Sequence, residues 1–312
     1  MKIKTNLPRV MAIMAVLGII SVFSCKKESS SKNNVSDTEA VITASSESAQ
    51  AESVFDDVFD NVAGVDDATA GVDLGLYGST GFGIFNEQAG NGSVSTPGIG
   101  TNSTEQIIRR CFTVTVDPRE PGVFPKTVTI DFGTGCESRH HVRKGKIIIT
   151  YTGKLHIPGS KAITTFDNYY IDSFKVEGTH TLENTSSPGG NERSFTVTIS
   201  DAKITNTNNG EWVGWSSTKV FTQVEGNSTP WWPVDDVFNI SGSTNGESSS
   251  GKTWSAEITD PLVKKFTCRW IVDGTIKIKL NDTEGVLEYG DGDCDNTATI
   301  TVNGETRTIT LR

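Results

Sequence analysis

The stretch SFTVTIS, residues 194–200, alternates Phe195, Val197 and Ile199 with threonine and serine. Alternation of apolar and polar residues at a period of two is typical of a β-strand with one buried face and one wet face. Its β-branched residues suit such a pleated, half-buried surface. Six more segments are built in the same way: CFTVTV (111–116), KTVTIDF (126–132), KIIITYTG (146–153), TIKIKL (275–280), TATITV (297–302) and TRTITL (306–311).

Turn signals separate these segments. They are Asn209-Gly210, Asn245-Gly246, Asp273-Gly274 and Asn303-Gly304, which are the dipeptides favoured in tight hairpins. One solvent-exposed face per strand favours antiparallel pairing, because the strands of parallel sheets are buried on both faces and have continuous apolar sequences. We therefore expect residues 105–312 to form an antiparallel all-β domain, arranged as a meander, a sandwich or a barrel of many strands.

The chain before this domain has a different composition. ESVFDDVFDNVAG, residues 52–64, places Val54, Phe55, Val58, Phe59 and Val62 on one helical face. The opposite face is acidic, whereas a helix that binds membrane surfaces would be basic. The pattern predicts one short amphipathic helix that docks on the β domain, followed by a Gly-rich linker that ends near residue 104.

The first 24 residues are typical of an export signal. Lys2, Lys4 and Arg9 precede an apolar run from Val10 to Phe23 that is short for a membrane span. The sequence VFSC then resembles the cleavage site of bacterial lipoproteins, and the lysines and glutamate after Cys25 resemble lipoprotein sorting signals of the Bacteroidota. An ordinary cleaved signal is the alternative.

The lipoprotein resemblance implies acyl chains, palmitate among them, on Cys25 and a membrane anchor through those chains. It implies localisation at the outer membrane, facing either the periplasm or the cell surface. Residues 25–104 would then be a lipidated segment whose first part, KKESSSKNN, is a flexible tether.

Charge limits the class of partner. The formal net charge is −10, and loss of the three positive residues of the signal leaves −13. Such a surface repels nucleic acid phosphates and anionic headgroups, so we expect no nucleic acid partner.

The remaining cysteines predict a disulfide pairing. Cys111 and Cys136 are separated by 25 residues, and Cys268 and Cys294 by 26. Each pair brackets the same order of strand, loop, strand and aromatic-glycine turn, which indicates two related units. An even number of cysteines in an exported chain favours disulfides. We therefore expect Cys111–Cys136 and Cys268–Cys294, each worth about 3 kcal/mol on the chain-entropy model.

The segment YGDGDCDN, residues 289–296, carries Asp291, Asp293 and Asp295 at alternate positions. Clustered carboxylates are calcium ligands, but the matching turn of the first unit, DFGTGCES, lacks this triplet. The features that both turns share are glycine and cysteine, so a disulfide-stapled turn is favoured over a calcium site.

The strongest candidates for a binding site are tryptophans. Trp212 and Trp215 lie in EWVGW, and Trp231 and Trp232 lie between prolines in STPWWPVDD. Exposed rings could stack on sugars, and the alternative is that they cap the β core. Adjacent His140 and His141 point to opposite faces of a strand and make a poor metal pair.

No motif of a hydrolase or a phosphate-binding loop is present, so no catalytic residue is predicted. The sequence favours a non-enzymatic structural or interaction protein of the cell envelope without a cofactor. A glycan-binding lipoprotein is the alternative, and an envelope hydrolase is the weakest interpretation.

Overall fold

The computed structural model describes residues 28–63, 111–138, 141–229 and 233–311. They form one long helix and fourteen strands. The bounds are α1 Glu28–Ala63, β1 Thr113–Asp117, β2 Lys126–Asp131, β3 Cys136–Ser138, β4 His141–Tyr151, β5 Lys161–Ile171, β6 Phe174–Asn184, β7 Ser194–Asn206, β8 Trp212–Glu225, β9 Val237–Ser248, β10 Thr253–Lys265, β11 Asp273–Leu280, β12 Thr283–Asp291, β13 Thr297–Val302 and β14 Glu305–Thr310.

The strands form a single antiparallel sheet in which neighbours in sequence are neighbours in space. Strand β3 pairs with the first part of β4, and β2 pairs with its second part. Among the described strands, β1 and β14 lie at the two edges of the sheet. The all-β expectation is confirmed, and of the three arrangements the open meander is the one observed.

The period-two alternation sorts side chains between the two faces of the sheet. On β7, Phe195, Val197 and Ile199 are buried on the face that packs against α1. The threonines between them lie on the outer face. The same pattern recurs along β8 and β9, so the core lies between the sheet and the helix.

The sheet curls around α1. The helix contacts strands from β5 to β13, and its buried residues lie on more than one face. The Tyr151 hydroxyl donates to the Val62 carbonyl at 3.0 Å near the end of the helix, and the Asn303 amide donates to the Thr38 hydroxyl at 3.0 Å near its other end. The predicted docking of the helix on the β domain is confirmed.

The helix is longer than the sequence pattern predicted. It begins at Glu28, inside the stretch expected to be a tether, and runs through a Ser- and Ala-rich segment without a clear apolar stripe. Small residues in this segment are buried, among them Ala40, Ala44, Ser45 and Ser48. Small side chains let the helix and the sheet approach closely, so the segment does not need the large apolar residues by which a docked helix is recognised.

Glycines accommodate the bending of the sheet. At Gly242, φ is +137°, and a Cβ would overlap the carbonyl oxygen of Thr218 on β8. Glycine adopts this conformation without steric cost, and bulged positions bend a strand. Glycines with positive φ and equally close backbone neighbours occur on three other strands: Gly145 on β4, Gly178 on β6 and Gly274 on β11.

Two of the four predicted turns are correct. Asn209-Gly210 connects β7 to β8, and Asn303-Gly304 connects β13 to β14. Asn245-Gly246 lies inside β9 and is not a turn. The glycine serves packing, because the ring of Trp254 on β10 occupies the place that a Cβ of Gly246 would take. Asp273-Gly274 begins β11 at a register shift and is not a turn between strands.

Both predicted disulfides are present, Cys111–Cys136 and Cys268–Cys294. The first joins the residues that flank the hairpin of β1 and β2, and the second joins those that flank the hairpin of β11 and β12. Each bridge closes the open end of its hairpin. The two units therefore share one topology, as the matched spacing predicted.

Several predicted features lie outside the described residues: the signal at 1–24, Cys25, the Gly-rich linker, His140, Trp231 and Trp232. Within the described part of the chain, no helix has the length and apolar character needed to cross a membrane.

Candidate functional site

Charged residues are buried where the helix meets the sheet. Glu52 and Asp56 lie one turn apart on α1, and Asp57 follows Asp56 directly. Glu52 pairs with Lys219 of β8, Asp56 lies 3.8 Å from Lys264 of β10, and Asp57 lies 2.7 Å from Arg143 of β4. The three basic side chains are at most 3% exposed. The pairs join one helix to three distant strands.

Burial changes the protonation of this cluster. Burial raises the pKa of Asp56 from 3.8 to about 6, although Lys264 opposes the change. Burial lowers the pKa of Arg143, but Asp57 and Tyr169 together outweigh burial, and the pKa is raised. Burial also raises the pKa of Tyr169 and of Tyr289. Near neutral pH Arg143 stays charged and both phenols stay protonated.

Buried His180 belongs to the same interface. Its ring stacks on Phe55 with the centroids 6.4 Å apart. Burial lowers the pKa of His180 from 6.5 to about 4, so the ring is neutral at physiological pH. The interior charges and His180 therefore serve the packing of the helix, and Glu52 and Asp56 line a small cavity of about 10 Å³.

His141 pairs with Asp172 at the surface of the protein. His141 Nδ1 lies 2.6 Å from the Asp172 carboxylate, which also accepts a hydrogen bond from the Val142 amide at 2.9 Å. A cavity of about 150 Å³ beside this pair is lined by apolar Val54, by other residues of α1 and by the hairpin of β5 and β6. The Asp172 carboxylate fixes the orientation of the His141 imidazole and joins the hairpin of β5 and β6 to β4.

The tryptophans divide into two kinds. Trp215 is 2% exposed and stacks on Phe55 with the ring centroids 5.3 Å apart. The assignment of Trp215 as a ligand-stacking residue is therefore wrong, because its position on β8 points it toward α1. Trp212 is half-buried on the outer face, where its ring lies beside Gly214 and 4.7 Å from Lys203 Nζ.

A wide concavity of about 780 Å³ lies on the outer face of β7–β11 and is here called the outer-face groove. Trp212 is outside its lining, but the Trp212 ring lies against Gly214 and Lys203, which line it. Its exposed lining forms two rows that run across the strands. Pairing registers place Lys203, Gly214, Glu247 and Thr253 side by side in the first row. The second row consists of Ser216, Asn245, Ser255 and Lys279, with Asp201 of β7 at one end. Asn281, just after the end of β11, also lines the groove.

The acidic turn of the second disulfide unit is fully exposed. Asp295 accepts hydrogen bonds from the Thr297 amide at 2.7 Å and from its hydroxyl at 2.6 Å, which lowers the pKa of Asp295. Within the described residues, no three histidine, cysteine or acidic side chains come together as metal ligands. The geometry gives no support to calcium binding by Asp291, Asp293 and Asp295.

Glu47 lies at the inner side of Trp212. It lines a cavity of about 70 Å³ with Glu211 and Trp212. Burial raises the pKa of Glu47 from 4.5 to about 7, Glu211 adds to this, and Lys252 opposes it. A carboxyl group whose pKa is raised by folding binds more protons in the folded state, so it destabilises the fold progressively as pH rises from about 4.5 to about 7.

Replacing Glu47 with glutamine is expected to raise the melting temperature at pH 8 and to have no effect at pH 4. Glutamine resembles the protonated carboxyl group at every pH, so the penalty for ionising the side chain disappears. Thermal unfolding of both proteins across this range measures the difference. Exposed Glu192, changed to glutamine, serves as the control. An effect of Glu47→Gln that is equal at pH 4 and pH 8 would contradict the prediction.

Sequence reasoning identified Trp212 but not the residues around it. The outer-face groove beside Trp212 is lined by single lysine, serine and asparagine residues from five strands. Only the pairing register brings them together, and it could not be read from their spacing. Gly214 in the quoted EWVGW segment was the one local signal, because a glycine within a strand often marks a close approach.

Comparison of the chain with family models, with curated proteins and with solved structures finds no match.

Proposed function

We propose that this protein is a lipid-anchored component of the cell envelope that acts as a non-enzymatic binding module. Cys25 is the acylated residue, and the sheet wrapped around α1 is the body that meets a partner. The partner is a glycan or another envelope protein, and the anchor holds the module at the outer membrane.

The observation that carries this proposal is the course of the chain after Cys25. Helix α1 begins at Glu28 and continues into the centre of the sheet. An anchor on Cys25 would thus be joined through a helix to the core of the body, and not to an edge of it. Acyl chains supply about 0.8 kcal/mol for each buried methylene, so several chains on one residue hold such a body firmly.

The use of the buried ionisable groups supports a binding role. Several ionisable groups whose pKa is changed by burial, Asp56 and His180 among them, are enclosed between α1 and the sheet. Groups enclosed in this way lie in the contact between the helix and the sheet, away from the exposed surface. Accessible polar groups are instead arranged on the outer face of the sheet, in the outer-face groove.

Labelling with a palmitate analogue tests the anchor. We expect the wild-type protein to incorporate the label and to remain with the membrane fraction. Cys25→Ala is expected to lose the label and to move to the soluble fraction, because no acylation site remains. Lys26→Ser, a change at the next residue, serves as the control and should keep the label. An unlabelled wild-type protein, or label that persists in Cys25→Ala, would refute the lipid anchor.

A further inference from the structure

The outer-face groove has the dimensions of a site for a chain molecule. Its two rows cross five strands, and neighbouring strands lie about 4.8 Å apart, so the groove extends over about 19 Å. Its residues lie on regular strands in the middle of the sheet, which fixes their relative positions. A site on rigid strands is preorganised, so little conformational entropy is lost on binding.

The charges of the groove are balanced, in contrast to the rest of the chain. Lys203 and Lys279 match Asp201 and Glu247 in number, whereas the whole sequence carries a net charge of −10. Balanced charge gives no net attraction for an anion or a cation. The exposed side chains that remain are uncharged donors and acceptors: Ser216, Asn245, Thr253, Ser255 and Asn281.

One aromatic ring stands at the edge of the first row. The Trp212 indole lies beside Gly214, which has no side chain to separate the ring from the groove floor. Lys203 Nζ lies over the ring at 4.7 Å. A cation over an exposed ring contributes only about 0.5–1 kcal/mol, so an incoming ligand can displace it from the ring face.

We propose that the outer-face groove binds an uncharged carbohydrate chain. Hydroxyl groups of such a chain both donate and accept hydrogen bonds, as the side chains of the two rows do. The apolar face of a sugar ring fits against Trp212, whose flat, rigid ring offers a large contact area. A peptide partner would instead be expected to meet apolar pockets, which the two rows do not provide. This inference rests on the proposed function and names the ligand class of its binding surface.

Calorimetric titration of the detergent-solubilised full-length mature protein tests the proposal. The probes are neutral tetra- to hexasaccharides of glucose, mannose, galactose and xylose in their common linkages. We expect at least one of them to bind. Trp212→Ala is expected to weaken that affinity by about tenfold through loss of ring contact. Ser255→Ile, which fills the second row, is expected to weaken it at least as much.

The matched control is Thr165→Ile, an identical type of change at an exposed position on β5 outside the groove, and it should leave the affinity unaltered. The melting temperature of Ser255→Ile should equal that of this control. Failure of every neutral oligosaccharide to bind would overturn the proposal. Binding that survives Ser255→Ile but is lost when Trp231 and Trp232 are changed to alanine would also overturn it. Neither result would alter the labelling of Cys25. The two experiments therefore distinguish failure of the carbohydrate proposal from failure of the lipid-anchor proposal.

Discussion

Replacing Lys219 with methionine is expected to lower the free energy of unfolding by about 3–5 kcal/mol. Lys219 is 2% exposed and pairs with Glu52, which is itself buried in the helix. Removing the ammonium group leaves the Glu52 carboxylate in a medium of low dielectric constant without its counter-ion. Urea denaturation, followed by circular dichroism, measures the loss.

A double-mutant cycle separates the pair from its surroundings. Changing Glu52 to methionine together with Lys219 is expected to restore most of the stability, because no unpaired charge then remains buried. The control is Lys161→Met, which removes an exposed pair with Glu183 at 3.0 Å. Exposed pairs contribute about 0–1 kcal/mol. A Lys219→Met loss no larger than that of this control would show that the pair is open to solvent.

The second large effect is expected at Phe59. Its side chain is 1% exposed and stacks on Phe221 with the ring centroids 4.7 Å apart, and the edge of Phe238 packs against it. Phe59→Ala would remove the ring from the centre of the helix–sheet contact and leave a cavity. Truncations of this kind cost about 3–5 kcal/mol, so the midpoint of urea unfolding should fall markedly.

Two variants on the same helix make this measurement specific. Phe59→Leu preserves most of the apolar volume and is expected to cost clearly less than the alanine variant. Ser46→Ala, at an exposed position of α1, should change the stability by no more than about 0.5 kcal/mol. If Phe59→Ala were as mild as Ser46→Ala, α1 would not be held inside the sheet in solution.

The disulfides show where sequence reasoning works well. The equal spacing of two cysteine pairs around similar strand patterns was sufficient to predict both bridges, because each bridge is local to one hairpin. The strands were predictable for a related reason. Each needs one buried and one wet face, and that demand is visible in residues as close together as Phe195 and Val197.

The helix shows where it works less well. Phe55 and Phe59 marked the part of α1 with large apolar side chains, and their docking was predicted correctly. The preceding turns were assigned to a tether, because buried Ala44 and Ser48 have the composition of a flexible linker. Their burial depends on how tightly the sheet curls, and nothing within the helix sequence reports that curvature.

The residues of the candidate site were also predicted from the sequence only in part. Trp212 and Trp215 were equivalent candidates in the sequence, since both stand in EWVGW. They lie three positions apart on one strand, so they point to opposite faces, and only the packing of α1 determines which face is the core. Asn245-Gly246 was likewise predicted to be a turn but lies within a strand. Its glycine makes room for the ring of Trp254, a contact that only the pairing of β9 with β10 creates.

The amino-acid sequence by itself determined the class of fold, the disulfide partners and seven of the fourteen strands, since these depend on contacts between nearby residues or on a simple period. The tertiary structure alone decided how far the helix extends, which tryptophan faces solvent, and which polar residues share the outer-face groove. These properties depend on pairing register and sheet curvature, which are set by contacts among strands far apart in the chain.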